Sequence, residues 1–153
     1  MVTDLGALTA DQVIESIGLD YLEGEGVWFK LIFRTEHGSA IYGFLTPKDF
    51  SAMHVLREDE LWVHVAGAPI EMLMLHLSGG HEVRVLGSDT LAGHSPAVLV
   101  PAGTWQGSRT VGDWSLVVCS LAPPFSGFTL ADASTDFSAW PQARDAIGGL
   151  IRG

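Results

Sequence analysis

Two stretches of the chain hold side chains that are suited to acid–base or metal chemistry. His54, Glu60 and His64 lie close together in the first, and Trp105 and Gln106 are adjacent in the second. A histidine and a carboxylic acid that meet in an apolar interior suit proton transfer, since imidazole titrates near neutrality and burial raises a carboxylic acid pKa towards that range. Imidazole and carboxylate are also ligands of divalent transition metals. These two chemistries define the candidate functions.

The acid–base interpretation assigns His54 and Glu60 as the catalytic pair. The carboxylate would fix the tautomer of the imidazole and raise its basicity. Tyr42 would transfer a proton or hold a carbonyl group, and Gln106 would hydrogen-bond a carbonyl or an enolate. The competing interpretation is structural, with His54 and Glu60 satisfying one another and Tyr42 packed in the core.

Further side chains are candidates for substrate binding. Arg34 or Lys30, on one predicted strand, would anchor an anionic group. In the predicted strand that begins at Glu60, alternation places Trp62 and His64 on the same side as Glu60. Trp62 and Trp105 each lie beside a candidate residue and would stack on the substrate. Walls of indole and thioether groups favour a flat, unsaturated or aromatic ligand over a free sugar.

A series of short β-rich runs must position these residues. Many short strands separated by Gly, Pro, Asp and Ser predict an antiparallel barrel or jelly roll. We expect one domain over residues 1–153, with the barrel core at about residues 27–131. The predicted strands are Val27–Thr35, Ser39–Leu45, Phe50–Val55, Glu60–Ala66, Ile70–Leu77, Glu82–Leu86, Ala97–Val100, Gly107–Val111, Trp114–Leu121 and Thr129–Ala131.

Helical patterns occur only outside the predicted barrel. Thr9 and Gln12 form a capping-box pattern ahead of an apolar stripe, and Gly18 is the expected stop. The segment predicts one short N-terminal helix. The tail from Phe137 to Arg152 is weakly amphipathic, and it predicts a C-terminal helix that caps one end of the barrel or else a frayed end.

The composition limits the class of partner. The formal net charge is −10, from 18 acidic and 8 basic side chains, and no basic stripe favours a nucleic acid or an acidic membrane. No apolar stretch approaches the roughly 20 residues needed to cross a bilayer. Cys119 is the only cysteine, and its apolar surroundings predict a buried structural thiol. We therefore expect a cytoplasmic protein that binds neither nucleic acid nor membrane.

The order of the motifs resembles the cupin superfamily. His54, Glu60 and Gly67 hold the places of its His-x-His, Glu and Gly motif, and Pro101, Gly103 and Gln106 follow its Pro-x-Gly-x-x-His motif. From Thr9 to Leu130 the chain resembles the small "cupin 5" group, a domain of unknown function. The segments that carry this resemblance are Glu23–Thr35, Ser39–Tyr42, Ser51–Ile70, Leu86–Asp89, Val100–Gln106 and Gly112–Phe125.

The resemblance also locates a metal site that is incomplete in this chain. Cupins hold a metal with His, His, Glu and His, and the matching positions here are His54, Leu56, Glu60 and Gln106. Leucine cannot ligate, and a glutamine carbonyl is a poor ligand for a borderline divalent ion. Gln106 agrees with the Trp-Gln of the cupin 5 group itself. We predict that no cofactor is needed, and the alternative is a divalent metal at His54, Glu60 and Gln106.

The resemblance implies an all-β fold of the double-stranded β-helix type, similar to the sugar-nucleotide epimerases, and a homodimer. Other departures, such as Leu31 where the group has Glu and Val63 where it has His, suggest a pocket adapted to another ligand. The predicted function is metal-independent isomerisation, epimerisation or cyclisation of a small organic molecule, in a specialised biosynthetic pathway. Two alternatives stay open: a metal-dependent oxygenase or decarboxylase, and a non-catalytic module that binds a small molecule.

Overall fold

The computed structural model describes residues 3–152, in which two antiparallel β-sheets face each other. The first sheet has the order β1-β2-β3-β10-β5-β8 and the second has the order β11-β4-β9-β6-β7. Each of the predicted runs overlaps one strand, and only the two-residue β1 was missed. The strands are β1 (Asp20–Tyr21), β2 (Trp28–Arg34), β3 (Ser39–Leu45), β4 (Ser51–Val55), β5 (Glu60–Gly67), β6 (Ile70–Leu75), β7 (His81–Leu86), β8 (Ala97–Val100), β9 (Trp105–Thr110), β10 (Ser115–Leu121) and β11 (Thr129–Leu130).

The N-terminal helix, α1 (Ala10–Ile17), confirms the predicted capping signals. The Thr9 hydroxyl accepts from the Gln12 amide, the Gln12 side chain accepts from the Thr9 amide, and Gly18 takes the left-handed conformation that ends the helix. The apolar side of α1 packs on the outer face of the first sheet, around Phe44 and Trp114.

The C-terminal helix, α2 (Arg144–Gly148), follows one turn of 3-10 helix at Pro141–Ala143. Ile147 packs with Leu73 and Leu75, which alternate with inward-facing methionines along β6. The helix therefore covers the outer face of the second sheet, and the prediction that it caps an end of the barrel was wrong. Two further 3-10 turns lie at Leu5–Ala7 and Thr90–Ala92. Within residues 3–152, no helix has the length and hydropathy needed to span a membrane.

The space between the sheets has an apolar half and an open half. Trp62, Met72, Met74 and Val98 fill the half between β5, β8, β6 and β7. The other half, enclosed by β2, β3, β10, β5 and β4, holds a cavity of about 240 Å³. The fold thus places the motif residues of β4 and β5 on the boundary between a packed core and an open cavity.

Candidate active site

Four strands of the first sheet line the cavity in regular cross-strand rows. One row joins Glu60 on β5, Leu121 on β10, Ser39 on β3 and Arg34 on β2, which are successive partners in the sheet. All four of these residues line the cavity. The next row inward is apolar and consists of Trp62, Cys119, Ile41 and Leu31.

Glu60 is the buried acid of the site. Its Oε1 accepts hydrogen bonds from Trp62 Nε1 and Gln106 Nε2, both at 2.9 Å. Burial is the largest influence on the Glu60 carboxyl, and it raises the pKa. The interaction with His54 is the next largest and lowers the pKa. The charge of Glu25 raises the pKa further, whereas the two hydrogen bonds lower it. Because both donors use Oε1, Oε2 is left to carry a proton and to meet a ligand in the cavity.

His54 is a second titratable group in the wall, and it comes from the opposite sheet. Its Nδ1 lies 2.7 Å from the carbonyl oxygen of Ala52. A carbonyl only accepts, so Nδ1 carries the proton and Nε2 of the neutral ring has a free lone pair. The expectation that Glu60 fixes this tautomer was therefore wrong, because the Ala52 carbonyl does so. The edge of the ring also packs against Phe128, with the centroids 5.9 Å apart.

Glu25 completes the polar cluster, and sequence reasoning did not identify it. Its Oε1 lies 3.8 Å from His54 Nε2 and accepts a 2.6 Å hydrogen bond from the Ser51 hydroxyl. Glu25 sits in the turn before β2, where no strand periodicity indicates its direction. Its backbone carbonyl accepts from the Ala52 amide and from Arg152 Nε, so the turn is fixed to β4 and to the C-terminal segment.

Gln106 supports Glu60 from beneath the cavity. It lies on β9 between His54 of β4 and Met74 of β6, and it is almost completely buried. Its Nε2 donates to Glu60, whereas Gln106 Oε1 and the hydroxyl of Ser108 are buried without a hydrogen-bond partner among the described residues. In this arrangement Gln106 orients the carboxyl and does not line the cavity, so it is placed to position Glu60 rather than to contact a substrate.

Arg34 reaches the cavity because of a β-bulge. Leu31 pairs with Ile41 and Phe33 pairs with Ala40, so one residue of β2 is unpaired and the alternation reverses. Arg34 then lies on the cavity side of β2 at a solvent-exposed position, and its Nη1 donates to the Phe125 carbonyl at 2.6 Å.

Lys30, the alternative anchor for an anion, lies elsewhere on the same strand. It is exposed, it does not line the cavity, and its Nζ donates to the Ile17 carbonyl at the end of α1. Of the two candidate cations, the structure therefore brings only the arginine to the site.

Besides Gln106, three other predicted site residues do not line the cavity. Tyr42 packs with the α1 cluster on the outer face of the first sheet. Trp105 packs on the outer face of the second sheet, edge to face with Phe137 at 5.3 Å. His64 does lie on the predicted side of β5, but its Nε2 is 3.1 Å from the Ala68 carbonyl, beyond the cavity. The structure therefore does not bring these three side chains to the cavity, where the prediction had placed them.

Cys119 is buried in the cavity wall, as the sequence predicted. Burial raises the pKa of the thiol well above its ordinary value, and the neighbouring Glu60 and Glu25 charges add to the rise. A thiol of this kind stays protonated, and only a thiolate is a good nucleophile. Cys119 is therefore a wall residue and not a candidate nucleophile.

The residues at the cupin metal positions do not fit a metal. Leu56 lines the cavity as an apolar side chain. The Gln106 amide is directed with its Nε2 towards Glu60, and an NH₂ group cannot ligate a cation. Among residues 3–152 no group of three or more His, Cys, Asp or Glu side chains is arranged to hold a metal ion.

The family assignment rests on sequence as well as on this fold. The pattern of the cupin 5 family, described as "Cupin superfamily (DUF985)", matches residues 11–134. The chain belongs to this family. None of the curated proteins that were compared matches the chain.

Solved structures agree with the family assignment. A protein from Shewanella oneidensis is 30% identical, with a TM-score of 0.87 over 95% of this chain and 98% of the other. A hypothetical protein from Leishmania major is 21% identical, with a TM-score of 0.88 over 95% of this chain and 100% of the other. The DMSP lyase of Ruegeria pomeroyi is 16% identical, with a TM-score of 0.62 over 89% of this chain and 73% of the other. At that identity the lyase shares the fold alone, and further matches are described as double-stranded β-helix or RmlC-like cupins.

Proposed function

We propose that this cupin catalyses a metal-independent isomerisation, epimerisation or cyclisation of a small organic molecule. The observation that carries the proposal is the pairing of a buried Glu60, whose pKa is raised by burial, with a His54 whose Nε2 is free to accept a proton. A carboxyl whose charged form is disfavoured by burial and an imidazole with a free ring nitrogen in the same cavity wall can act as an acid–base pair.

The two residues of the pair lie on different sheets and have different roles, His54 as the base and Glu60 as the acid. His54 Nε2 removes a proton from the carbon next to a carbonyl, while Glu60 Oε2 gives its proton to the carbonyl oxygen, and an enol results. Return of a proton to the other face of the same carbon gives the epimer. Where that carbon bears a hydroxyl group, the intermediate is an enediol, and return of the proton to the former carbonyl carbon, with loss of the proton of that hydroxyl, gives the isomer. Attack of the enol carbon on a carbonyl carbon in the same molecule gives a ring: the carbonyl π-bond opens, its oxygen takes the proton held by His54, and the enol oxygen returns its proton to Glu60.

Glu25 stabilises the charge that this step creates. When His54 takes the proton, the imidazolium lies 3.8 Å from Glu25 Oε1, in a site with little solvent. The Ser51 hydroxyl donates to the same oxygen and holds the carboxylate in place. The histidine is thus held by the Ala52 carbonyl on one side and meets a carboxylate on the other, an arrangement that favours a general base.

The test is exchange of carbon-bound hydrogen. A panel of arylalkyl ketones is incubated with the protein in D₂O, and loss of the proton signal next to the carbonyl is followed by NMR. His54→Ala and Glu60→Gln should each lower the exchange rate by about 10²- to 10⁴-fold, and a chelator should have no effect. Tyr42→Phe, outside the cavity, is the matched control and should exchange at the wild-type rate. Undiminished exchange in the double variant, or a complete loss with chelator, contradicts the proposal.

We further propose that the protein acts as a cytoplasmic homodimer in a specialised biosynthetic pathway. The support for a dimer is an apolar strip on the outer face of the first sheet, where Leu99 pairs with Leu61 and Phe33 lies on the same row. Their exposures of 54%, 37% and 48% are high for apolar residues of a sheet. The strip reaches β8, an edge strand of the sheet, and edges of this kind are commonly covered by a partner.

A further inference from the structure

We propose that the ligand of this cavity is a monocarboxylate with an apolar, ring-sized body, bound with its carboxylate on Arg34. The proposal rests on the site described under the proposed function, because it assigns the substrate class of the same cavity. It adds a charge, a size and an orientation that the acid–base pair alone does not define.

The negative charge of the ligand is inferred from the contacts of Arg34. No acidic side chain among the described residues lies within ion-pair distance of its guanidinium. In the described part of the chain, the Arg34 guanidinium donates one hydrogen bond, from Nη1 to the Phe125 carbonyl. A guanidinium has five N–H donors and is always charged, and its planar edge matches a carboxylate. The bulge in β2 and the Phe125 carbonyl hold this group towards the cavity, so most of its donors are available to a ligand.

The orientation follows from the cross-strand row. Arg34 and Glu60 stand at the two ends of a row of four strands, and both line the cavity. Three steps between strands correspond to roughly 14 Å along the curved sheet. The two groups therefore lie on opposite sides of the cavity, and a molecule whose carboxylate binds Arg34 presents its far end to Glu60 and His54.

The body of the ligand follows from the walls. Between the two polar ends the walls are apolar, and they are formed by Phe29, Leu31, Ile41, Leu56, Phe125 and Phe128. A hydroxyl group placed against these side chains would lose its hydrogen bonds to water without replacement, so a free sugar is a poor ligand. An apolar cavity of about 150 Å³ accepts a benzene molecule, and this one of about 240 Å³ accepts a ring with a short chain.

A cationic ligand is disfavoured by how the acidic groups are used. Glu25 already accepts from Ser51 and faces the imidazole of His54, and burial raises the pKa of Glu60, which disfavours its charged form. The available charge in the wall is therefore the positive charge of Arg34. The chain as a whole carries a formal charge of −10, which repels anions. A preference for an anionic ligand would therefore come from Arg34 and not from the net charge of the protein.

The experiment uses three probes that differ only in the end group: 4-phenylbutanoate, 4-phenylbutan-1-ol and 4-phenylbutylamine. Binding is measured by isothermal titration calorimetry and by the fluorescence of the tryptophans, of which Trp62 lies in the wall. The wild type should bind the acid at least about tenfold more tightly than the alcohol, as a charge-assisted bond predicts. Arg34→Gln should abolish this preference, and Arg34→Lys should keep part of it. Lys30→Gln removes the same charge from the other face of β2 and should leave the preference unchanged.

Several results would overturn the assignment. These are equal affinity for the acid and the alcohol, tightest binding of the amine, a preference for the acid that survives Arg34→Gln, or no binding of any probe at millimolar concentration. The same titrations on Glu60→Gln separate this inference from the proposed function. If the acid binds selectively but the exchange assay shows no catalysis, the ligand class stands and only the catalytic proposal fails.

Discussion

The buried carboxyl of Glu60 makes two substitutions differ strongly in stability. Glu60→Gln retains an Oε1 that can accept from Trp62 Nε1 and Gln106 Nε2, the two bonds seen at 2.9 Å. Glu60→Ala removes this acceptor and leaves two buried donors without a partner. Neither variant titrates at this position, so the difference between them reports the hydrogen bonds and the packing, free of the ionisation of residue 60.

The magnitude follows from the cost of an unpaired buried donor, which is about 1–3 kcal/mol for each group. Two donors give about 2–6 kcal/mol. Water that enters the enlarged cavity can satisfy one of them, so we expect Glu60→Ala to have a free energy of unfolding about 1–3 kcal/mol below that of Glu60→Gln. Urea denaturation followed by tryptophan fluorescence measures this difference.

The same variant tests the protonation state of Glu60. Burial raises the pKa above its ordinary value of 4.5, so the folded state binds more protons than the unfolded state between 4.5 and the folded pKa. Wild-type stability should therefore fall as the pH rises through this window, and the penalty should vanish below 4.5. Glu60→Gln carries no such penalty and should gain on the wild type as the pH rises. Equal stability of the alanine and glutamine variants, or a constant gap between glutamine and wild type across this range, would refute the reasoning.

Two further predictions concern the frame of the site and its outer face. Arg152→Met removes the bonds from Nε and Nη2 to four backbone carbonyls, including that of Glu25, so we expect a loss of about 1–3 kcal/mol and faster amide exchange around this turn. Arg144→Met, at an exposed position, is the control, and equal exchange in the two variants would count against the contact. Leu61→Glu with Leu99→Glu should convert a dimer into a monomer in analytical ultracentrifugation, and a wild type that sediments as a monomer would disprove the dimer.

The framework of the fold could be predicted because its signals are local. Turn residues separate the strands, and two strands, Ser39–Leu45 and Ala97–Val100, begin and end at the predicted residues. Thr9 and Gln12 interact within one turn of helix, so their pairing depends on nothing outside that segment. The positions of His54 and Glu60 in the interior could likewise be predicted, because the motif spacing fixed their strands.

The composition of the site could be predicted only in part, because it depends on contacts between segments distant in sequence. Glu25 reaches the site from a turn that Arg152 fixes across most of the chain length. The error at Trp105 could have been avoided, since strand alternation cannot bring both Trp105 and Gln106 to one cavity. Alternation likewise places Tyr42 on the outer face of its strand, because its neighbours Ile41 and Gly43 line the cavity.

The two departures from the cupin metal set explain the chemistry that we propose. A metal cation beside a carboxylate keeps it ionised, because the positive charge lowers the cost of the negative one. In this chain Leu56 supplies an apolar wall at one ligand position, and Gln106 supplies a neutral N–H donor at another. The largest influence on the buried Glu60 is then its desolvation, which raises the pKa of its carboxyl. Under the proposed function, the replacement of two imidazoles therefore turns the position of a metal ligand into that of a buried acid, while the fold that positions it stays the same.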